Sequence, residues 1–194
     1  MVIIGTRIEA KAKTREKIIG ATKLLIQKRG FVKISSNEIA KECGVSKGSI
    51  FLHFQTKDGL LTTILTSNIE SLEEGLKSTC YPTDTQDTFL KNFIEILSIH
   101  EDILARIYKD YSYLDSPLQK HVDGLEILFK NLIFDNYKKN TKSTMSIVDS
   151  FIAIDAFLSQ IKEYLISKDT FSSSNSIIRQ KRGRISKLYK MLFE

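Results

Sequence analysis

Cysteine is nearly missing from this chain, with only Cys43 and Cys80 among 194 residues, and proline is equally scarce at two. The cysteine spacing makes neither a zinc site nor a disulfide framework, and Cys43 reads as a small buried thiol rather than a redox group. With so few prolines, long helices can run unbroken. No apolar run approaches the ~18 residues of a bilayer span, and Val2–Ile4 is far too short for the core of a secretion signal. The chain is therefore expected in the cytoplasm, with no membrane partner. Nucleotide and nucleophile motifs of the types G-x-G-x-x-G, P-loop and G-x-S-x-G are absent. His53, His100 and His121 lie far apart in sequence, with no H-x-x-x-H and no carboxylate at ligand spacing. No residue argues for an enzyme, a metal or a cofactor. There are no internal repeats and no strand-like alternation beyond a few residues, which leaves an all-α fold.

What is present is a core-forming composition, 42% hydrophobic and 27% charged, which is not that of a disordered chain. The formal net charge of +6 is unevenly placed. Residues 1–60 hold 12 Lys+Arg against 5 Asp+Glu, or +7, and residues 61–194 hold 17 against 18, or −1. All the positive excess lies in the first third, as binding to a polyanion requires. Two domains are expected, residues 1–60 and 61–194.

The organising stretch is 34–61, ISSNEIAKECGVSKGSIFLHFQTKDGLL. Ser35 followed by Glu38 is a capping box, and Ile39, Ala40 and Cys43 give an apolar helical stripe. Gly44 can take the left-handed conformation that ends a helix. Ser46 can cap a second helix carrying Ile50, Phe51 and Phe54, and Thr56 a third with Asp58 in its first turn. Two short helices joined through a glycine turn in a basic setting have the form of a helix-turn-helix DNA reader. Lys47 can donate to O6 and N7 of guanine, and Ser49 can donate or accept at a base edge. Gly48 lets the helix start approach DNA closely.

The run GVSKGSIFLHF at 44–54 with TKDGLL at 56–61, together with REKIIGA at 15–21 and RGF at 29–31, resembles the DNA-binding signature of the TetR family of bacterial transcriptional regulators. The resemblance covers about residues 14–61. It implies that Lys47, Gly48, Ser49 and Phe51 lie over base edges, and that Ser35, Ser46, His53 and Lys57 touch phosphates. Phe51 stands where the family commonly has tyrosine, so a hydroxyl-to-phosphate bond is lost there and contact with a thymine methyl remains. It also implies a helical C-terminal domain that binds a small effector and dimerises through its last two helices. The expected function is a homodimeric repressor released from a palindromic duplex operator by a small apolar effector. A dimer whose C-terminal domain binds a protein partner is the alternative, and a helix-turn-helix that binds protein is a rival against which the +7 charge argues.

Along the rest of the chain, residues 1–13 read as a flexible arm whose Lys11 and Lys13, with Arg15 behind them, can reach phosphates. About nine helices are expected: a three-helix N-terminal domain, a connector from Lys57 toward Ser78, and a bundle with helices at about 85–99, 101–113, 115–137, 145–167 and 176–193. Phe89, Phe93, Tyr108, Tyr111 and Phe129, with Tyr113 and Phe134, are the aromatic candidates to line a cavity. The 145–167 helix is apolar over more than one face, with Ile147, Phe151, Ile154, Leu158, Ile161 and Leu165 in one row and Val148, Ile152 and Phe157 in another. Such a helix needs partners on two sides. Phe151, Leu158, Ile185 and Leu188 are the candidate dimer contacts. Asp155, among apolar neighbours, is open to three readings: it faces solvent, faces a partner subunit or meets a cationic ligand.

Overall fold

The computed structural model describes residues 2–142, 145–171 and 176–193, with side chains from residue 7 onward and excepting residues 170 and 171. Every regular element among them is helical. The chain divides into two compact units, Met1–Ser67 and Asn68–Glu194, and the division falls inside one helix.

The first unit holds α1 (Val2–Arg29), α2 (Ser36–Cys43), α3 (Lys47–Phe54) and the start of α4 (Lys57–Thr79). Its core is built from Ile18, Leu25 and Ile26 of α1, Phe31, Ile39 and Cys43, Ile50 and Phe54 of α3, and Leu60, Leu61 and Ile64 of α4. Thr22 is also buried, and its hydroxyl donates to the Ile18 carbonyl at 2.7 Å. Residues 2–13 are not the flexible arm expected but the first half of α1. The stretch IEAKAKT lacks glycine and proline and is rich in good helix formers, so propensity alone carries the helix through a region with no apolar periodicity. Gly30, at φ 81°, ends α1 and donates its amide to the Ile26 carbonyl at 2.7 Å. Gly20 is exposed in mid-helix, and an added Cβ would meet nothing within 4 Å.

The second unit continues with α5 (Gln86–Ile99), α6 (Glu101–Asp110), α7 (Ser116–Asn140), α8 (Ile147–Ile166), α9 (Lys168–Phe171), α10 (Ile177–Gln180) and α11 (Arg182–Phe193). Thr85, Asp115 and Ser146 cap α5, α7 and α8 through their side-chain oxygens. The helix expected over 101–113 ends as α at Asp110 and closes in a 3-10 turn, Tyr111–Tyr113. The helix expected over 176–193 is interrupted at Lys181. On α7 the buried row is Leu118, Val122, Leu125, Phe129 and Ile133, and Leu132 is only half-buried. Part of the loop expected at 170–176 lies outside the described residues. Of the rest, Thr170 and Phe171 end α9 and Ser176 caps α10.

Two polar devices fix this unit. Asn136 donates through Nδ2 to the carbonyls of Tyr81, Pro82 and Asp84 at 3.3, 3.2 and 2.8 Å, tying the α4–α5 loop to α7. Glu101 is buried, and its carboxylate accepts the amides of Ile177 and Ile178 at 2.9 and 3.1 Å and the Ser176 hydroxyl. Lys168 lies 2.7 Å from the same group, so the buried charge is paired and hydrogen-bonded.

Candidate nucleic-acid interface

Alpha helix α3 is held from both ends. Ser46 accepts the Ser49 amide at 3.2 Å, and the two hydroxyls lie 2.9 Å apart, so Ser49 is engaged in the cap. Before it, Gly44 sits at φ 60° and ψ 41°, with its amide turned back to the carbonyls of Ala40 and Lys41. After it, Gln55 takes φ 63°, a left-handed conformation that costs a non-glycine residue energy. Its amide reaches the Phe51 carbonyl at 2.9 Å, and Thr56 then caps α4 by accepting the Gly59 amide at 2.9 Å. That turn leaves no room at Gly59, where a Cβ would stand 2.5 Å from the Phe54 carbonyl oxygen.

Ile50 and Phe54 anchor α3 in the core, so Lys47, Gly48, Phe51 and Leu52 form its outward face. Lys47 is exposed with its ammonium 5.8 Å from the Phe51 ring centre, and Phe51 is 41% exposed. Leu52, at 75% exposure, was not singled out by sequence reasoning, although its neighbours Phe51 and His53 were. The signal was its position two residues from both buried anchors. His53 is half-buried beside Phe54. Ser35 forms the expected capping box: its hydroxyl accepts the Glu38 amide at 3.3 Å and its own amide donates to the Glu38 carboxylate at 2.9 Å. These Ser35 bonds, with Arg29 alongside, hold the Glu38 carboxyl below its ordinary pKa. Lys57 is half-buried, with its ammonium 3.4 Å from the Ile34 carbonyl. Two cations of α1 also border this motif. The Arg15 guanidinium lies 4.9 Å from the Phe54 ring centre, and the Lys17 ammonium would be 3.7 Å from a Cβ on Gly44.

In the second unit, a cavity of about 310 Å³ lies against α7 and α8. Of the seven aromatic cavity candidates, Tyr108 and Phe129 line it. Phe89 and Phe93 are core, stacked at 6.0 Å, and Tyr111 donates its hydroxyl to Asp123 at 2.5 Å. Tyr113 is 73% exposed, and Phe134 stacks on Phe151 at 5.0 Å. The apolar floor is Leu97, Phe129, Leu158, Ile161 and Leu165, and the rim is charged. Lys130 pairs with Asp155 at 2.7 Å and Lys162 with Glu126 at 2.5 Å, so Asp155 faces another helix of its own unit. Lys162 also lies 4.7 Å from the Tyr108 ring centre. Burial, reinforced by Glu126, pushes the Tyr108 hydroxyl well above its ordinary pKa. Sequence reasoning missed this rim. Its one signal was the pattern of Glu126 with Lys130 and Asp155 with Lys162, four and seven residues apart on two helices.

Of the candidate dimer contacts, Ile185 is 1% exposed and fills the core of its own unit, while Phe151, Leu158 and Leu188 are half-buried. The open apolar surface of α8 is instead Ile147, Val148 and Ile152, at 62, 68 and 62% exposure. Phe157, expected in that outer row, is buried. Among the described residues, no helix is long and apolar enough to cross a membrane, and no group of three His, Cys, Asp or Glu could hold a metal ion.

Residues 18–64 match the family described as bacterial regulatory proteins, tetR family. An uncharacterized HTH-type transcriptional regulator of Bacillus subtilis, YerO, is 47% identical over 47 residues, which is 24% of this chain and 16% of that protein. A probable HTH-type transcriptional regulator of the same organism, YttP, is 27% identical over 130 residues, covering 64% of this chain and 62% of YttP. The matches therefore span less than two thirds of either relative. A TetR-family transcriptional regulator from Agrobacterium tumefaciens superposes with a TM-score of 0.73 at 13% identity, over 91% of this chain and 98% of that one. At that identity the likeness is one of fold.

The two glycines of opposite setting give opposite expectations. Gly59→Ala should destabilise the first unit by about 1–3 kcal/mol, because the methyl must displace backbone. Gly20→Ala should stabilise it by about 0.5–1 kcal/mol, having open space and a better helix former. Chemical denaturation of both variants checks this, and Gly59→Ala at or above wild-type stability would contradict the packing at the α3–α4 turn.

Proposed function

We propose, from the premise that residues 18–64 belong to the tetR family of bacterial regulatory proteins, that this chain is a transcriptional regulator that reads duplex DNA through α3. The observation that carries the reading is the outward face of α3, Lys47, Gly48, Phe51 and Leu52, on the part of the chain that holds a +7 excess. Lys47 is assigned to a guanine edge and Phe51 to a thymine methyl. Ser35, Ser46, His53 and Lys57 are assigned to backbone phosphates, with the amides at the starts of α2 and α3 beside them. Ser49 shares its hydroxyl with Ser46, which leaves part of its hydrogen-bonding capacity for a base edge.

The chain acts as a two-fold dimer on a palindromic operator in this reading. Support comes from α8, whose Ile147, Val148 and Ile152 are left open by their own unit. Three large apolar side chains in a row favour a protein neighbour over water. Repression relieved by a small molecule is the regulatory half of the reading, supported by the cavity on α7 and α8. Its occupant has an apolar body for Leu97, Phe129, Ile161 and Leu165, and a polar group for the rim of Lys130, Asp155, Lys162 and Glu126. That adds a polar end to the small apolar effector expected from the resemblance.

Three outcomes test these assignments. With ~6–10 phosphate contacts, operator affinity should fall ~10³–10⁵-fold between 50 and 200 mM salt. Lys47→Ala should cost about 1–3 kcal/mol and relax preference at one base pair per half-site, whereas Lys57→Ala should weaken all sequences alike and lower the salt slope by about 1 per protomer. Titrations on the operator and its point variants decide this, and salt-independent binding would refute the DNA reading.

Sedimentation should find wild type dimeric at micromolar concentration and the Val148→Asp, Ile152→Asp double variant monomeric and folded, because both positions are exposed within the protomer. A stable pairing of this kind buries at least ~1,000 Å² in total, and a monomeric wild type would contradict it.

A true inducer must bind more weakly in the presence of operator by the same factor, ~5–150-fold, by which it weakens operator binding. Calorimetric titration of a cavity ligand with and without operator measures that factor, and equal affinities would exclude the ligand as inducer.

A further inference from the structure

Beyond the recognition helix, we infer that the amino-terminal half of α1 is a second DNA-binding surface, which grips the phosphate backbone of duplex flanking each half-site. This rests on the DNA reading of α3 and extends it. The first observation is a helix without support. Every residue from Arg7 to Lys13 is exposed, so this stretch buries nothing in its own unit. Isolated helical segments of such length are marginal in water, and a helix that gains nothing from packing gains from a partner.

The second observation is how its charges are sorted. Arg7, Lys11 and Arg15 follow at intervals of four and lie within an arc of about 80° around the helix. Glu9 and Glu16 lie on the opposite side of the axis. None of the three cations is paired with a carboxylate among the described residues. Along the axis they span about 12 Å, the reach of several phosphates spaced ~3.4 Å along one strand.

The third observation is the anchor. Arg15, the last member of the stripe, lies over Phe54 at the end of α3, and Lys17 lies beside the Gly44 turn that leads into α3. The stripe is thus continuous with the motif that reads the groove. An anionic bilayer fits less well, because a surface-bound membrane helix needs a broad apolar face opposite its cations. Between Arg7 and Thr14 the only large apolar residue is Ile8.

The test uses the full chain and an operator selected with it from a random duplex library, carried in fragments with flanks of increasing length. Wild type should gain affinity as the flanks lengthen past the half-sites. The Arg7→Ser, Lys11→Ser double variant, which removes four cations from the dimer, should lose that gain, and its salt slope should fall by about 4, which makes its loss of affinity between 50 and 200 mM salt about a hundredfold smaller. Lys11→Ser alone should lose part of the gain, while Lys13→Ser, the same charge removed from off the stripe, should keep all of it. Unchanged flank dependence and salt slope in the double variant would overturn the inference with the α3 reading intact. Failure of wild type to select any sequence would instead overturn the reading of α3, and the inference with it. Stripe-dependent binding to phosphatidylserine vesicles without stripe-dependent flank binding would reassign the surface to lipid and overturn it as stated.

Discussion

Half the amides of an eight-residue α-helix have no carbonyl partner within it, and both α2 and α3 are eight residues long. Neither could persist on propensity, since one or two turns gain too few internal bonds to offset nucleation. What holds them is a succession of closures at fixed spacing. Ser35, Ser46 and Thr56 each accept an amide three residues on, and Gly44 and Gln55 turn the chain between through left-handed conformations. Each cap contributes about 1 kcal/mol, but its larger effect is geometric. A helix start fixed by a side-chain oxygen has a fixed direction, so the outward face of α3 is set before any partner arrives. Gly59 belongs to the same chain of closures, because the turn after α3 places a carbonyl where any side chain at 59 would stand.

The remaining energetics divide by region. In the first unit the core is small and the surface strongly cationic, so self-repulsion works against compactness and an anionic partner relieves it. The second unit is close to neutral overall, and several of its charges pair internally. Glu101 holds the start of α10, while Lys130–Asp155 and Lys162–Glu126 strap α7 to α8. These straps are half-exposed, so each contributes little to stability by itself. Their placement matters more than their energy, because they set which polar groups border the cavity.

What could be read from residues alone follows from the range of the interactions. The capping box at Ser35 and Glu38, the Gly44 turn and the anchors Ile50 and Phe54 all act within four residues, so spacing was enough to find them. The amino-terminal half of α1 was misjudged for a related reason. Apolar periodicity reports burial, and a helix that buries nothing has none to report, although Ala10, Lys11, Ala12 and Lys13 are all good helix formers. The cavity was legible only in part. Tyr108 and Phe129 line it, yet Phe89 and Phe93 have the same aromatic character and fill the core instead. The difference lies in how α5 meets α7, between residues some forty positions apart, and no local pattern encodes that. Ile185 illustrates the same limit, since an apolar position at helical spacing does not say which neighbour will cover it.

Helix α8 is where these threads meet. Its first turns leave Ile147, Val148 and Ile152 open, its middle sends Asp155, Ser159 and Lys162 to the cavity, and Ile154, Phe157, Ile161 and Leu165 lock it into the core. One rigid element thus carries both the surface assigned to a second copy and the surface assigned to a ligand. A molecule that replaces the Lys162–Glu126 pair exchanges one set of α7–α8 contacts for another, and close-packed helices respond by shifting as bodies rather than deforming locally. Such a shift is felt at the open apolar row because both features share a backbone. Affinity alone does not make the ligand a signal, however. It biases the protein only to the extent that it prefers one setting of α8 over another. The charged rim supplies a means for that preference, since an ion pair is either made within the protein or exchanged for the ligand, and the two states place α7 and α8 under different constraints.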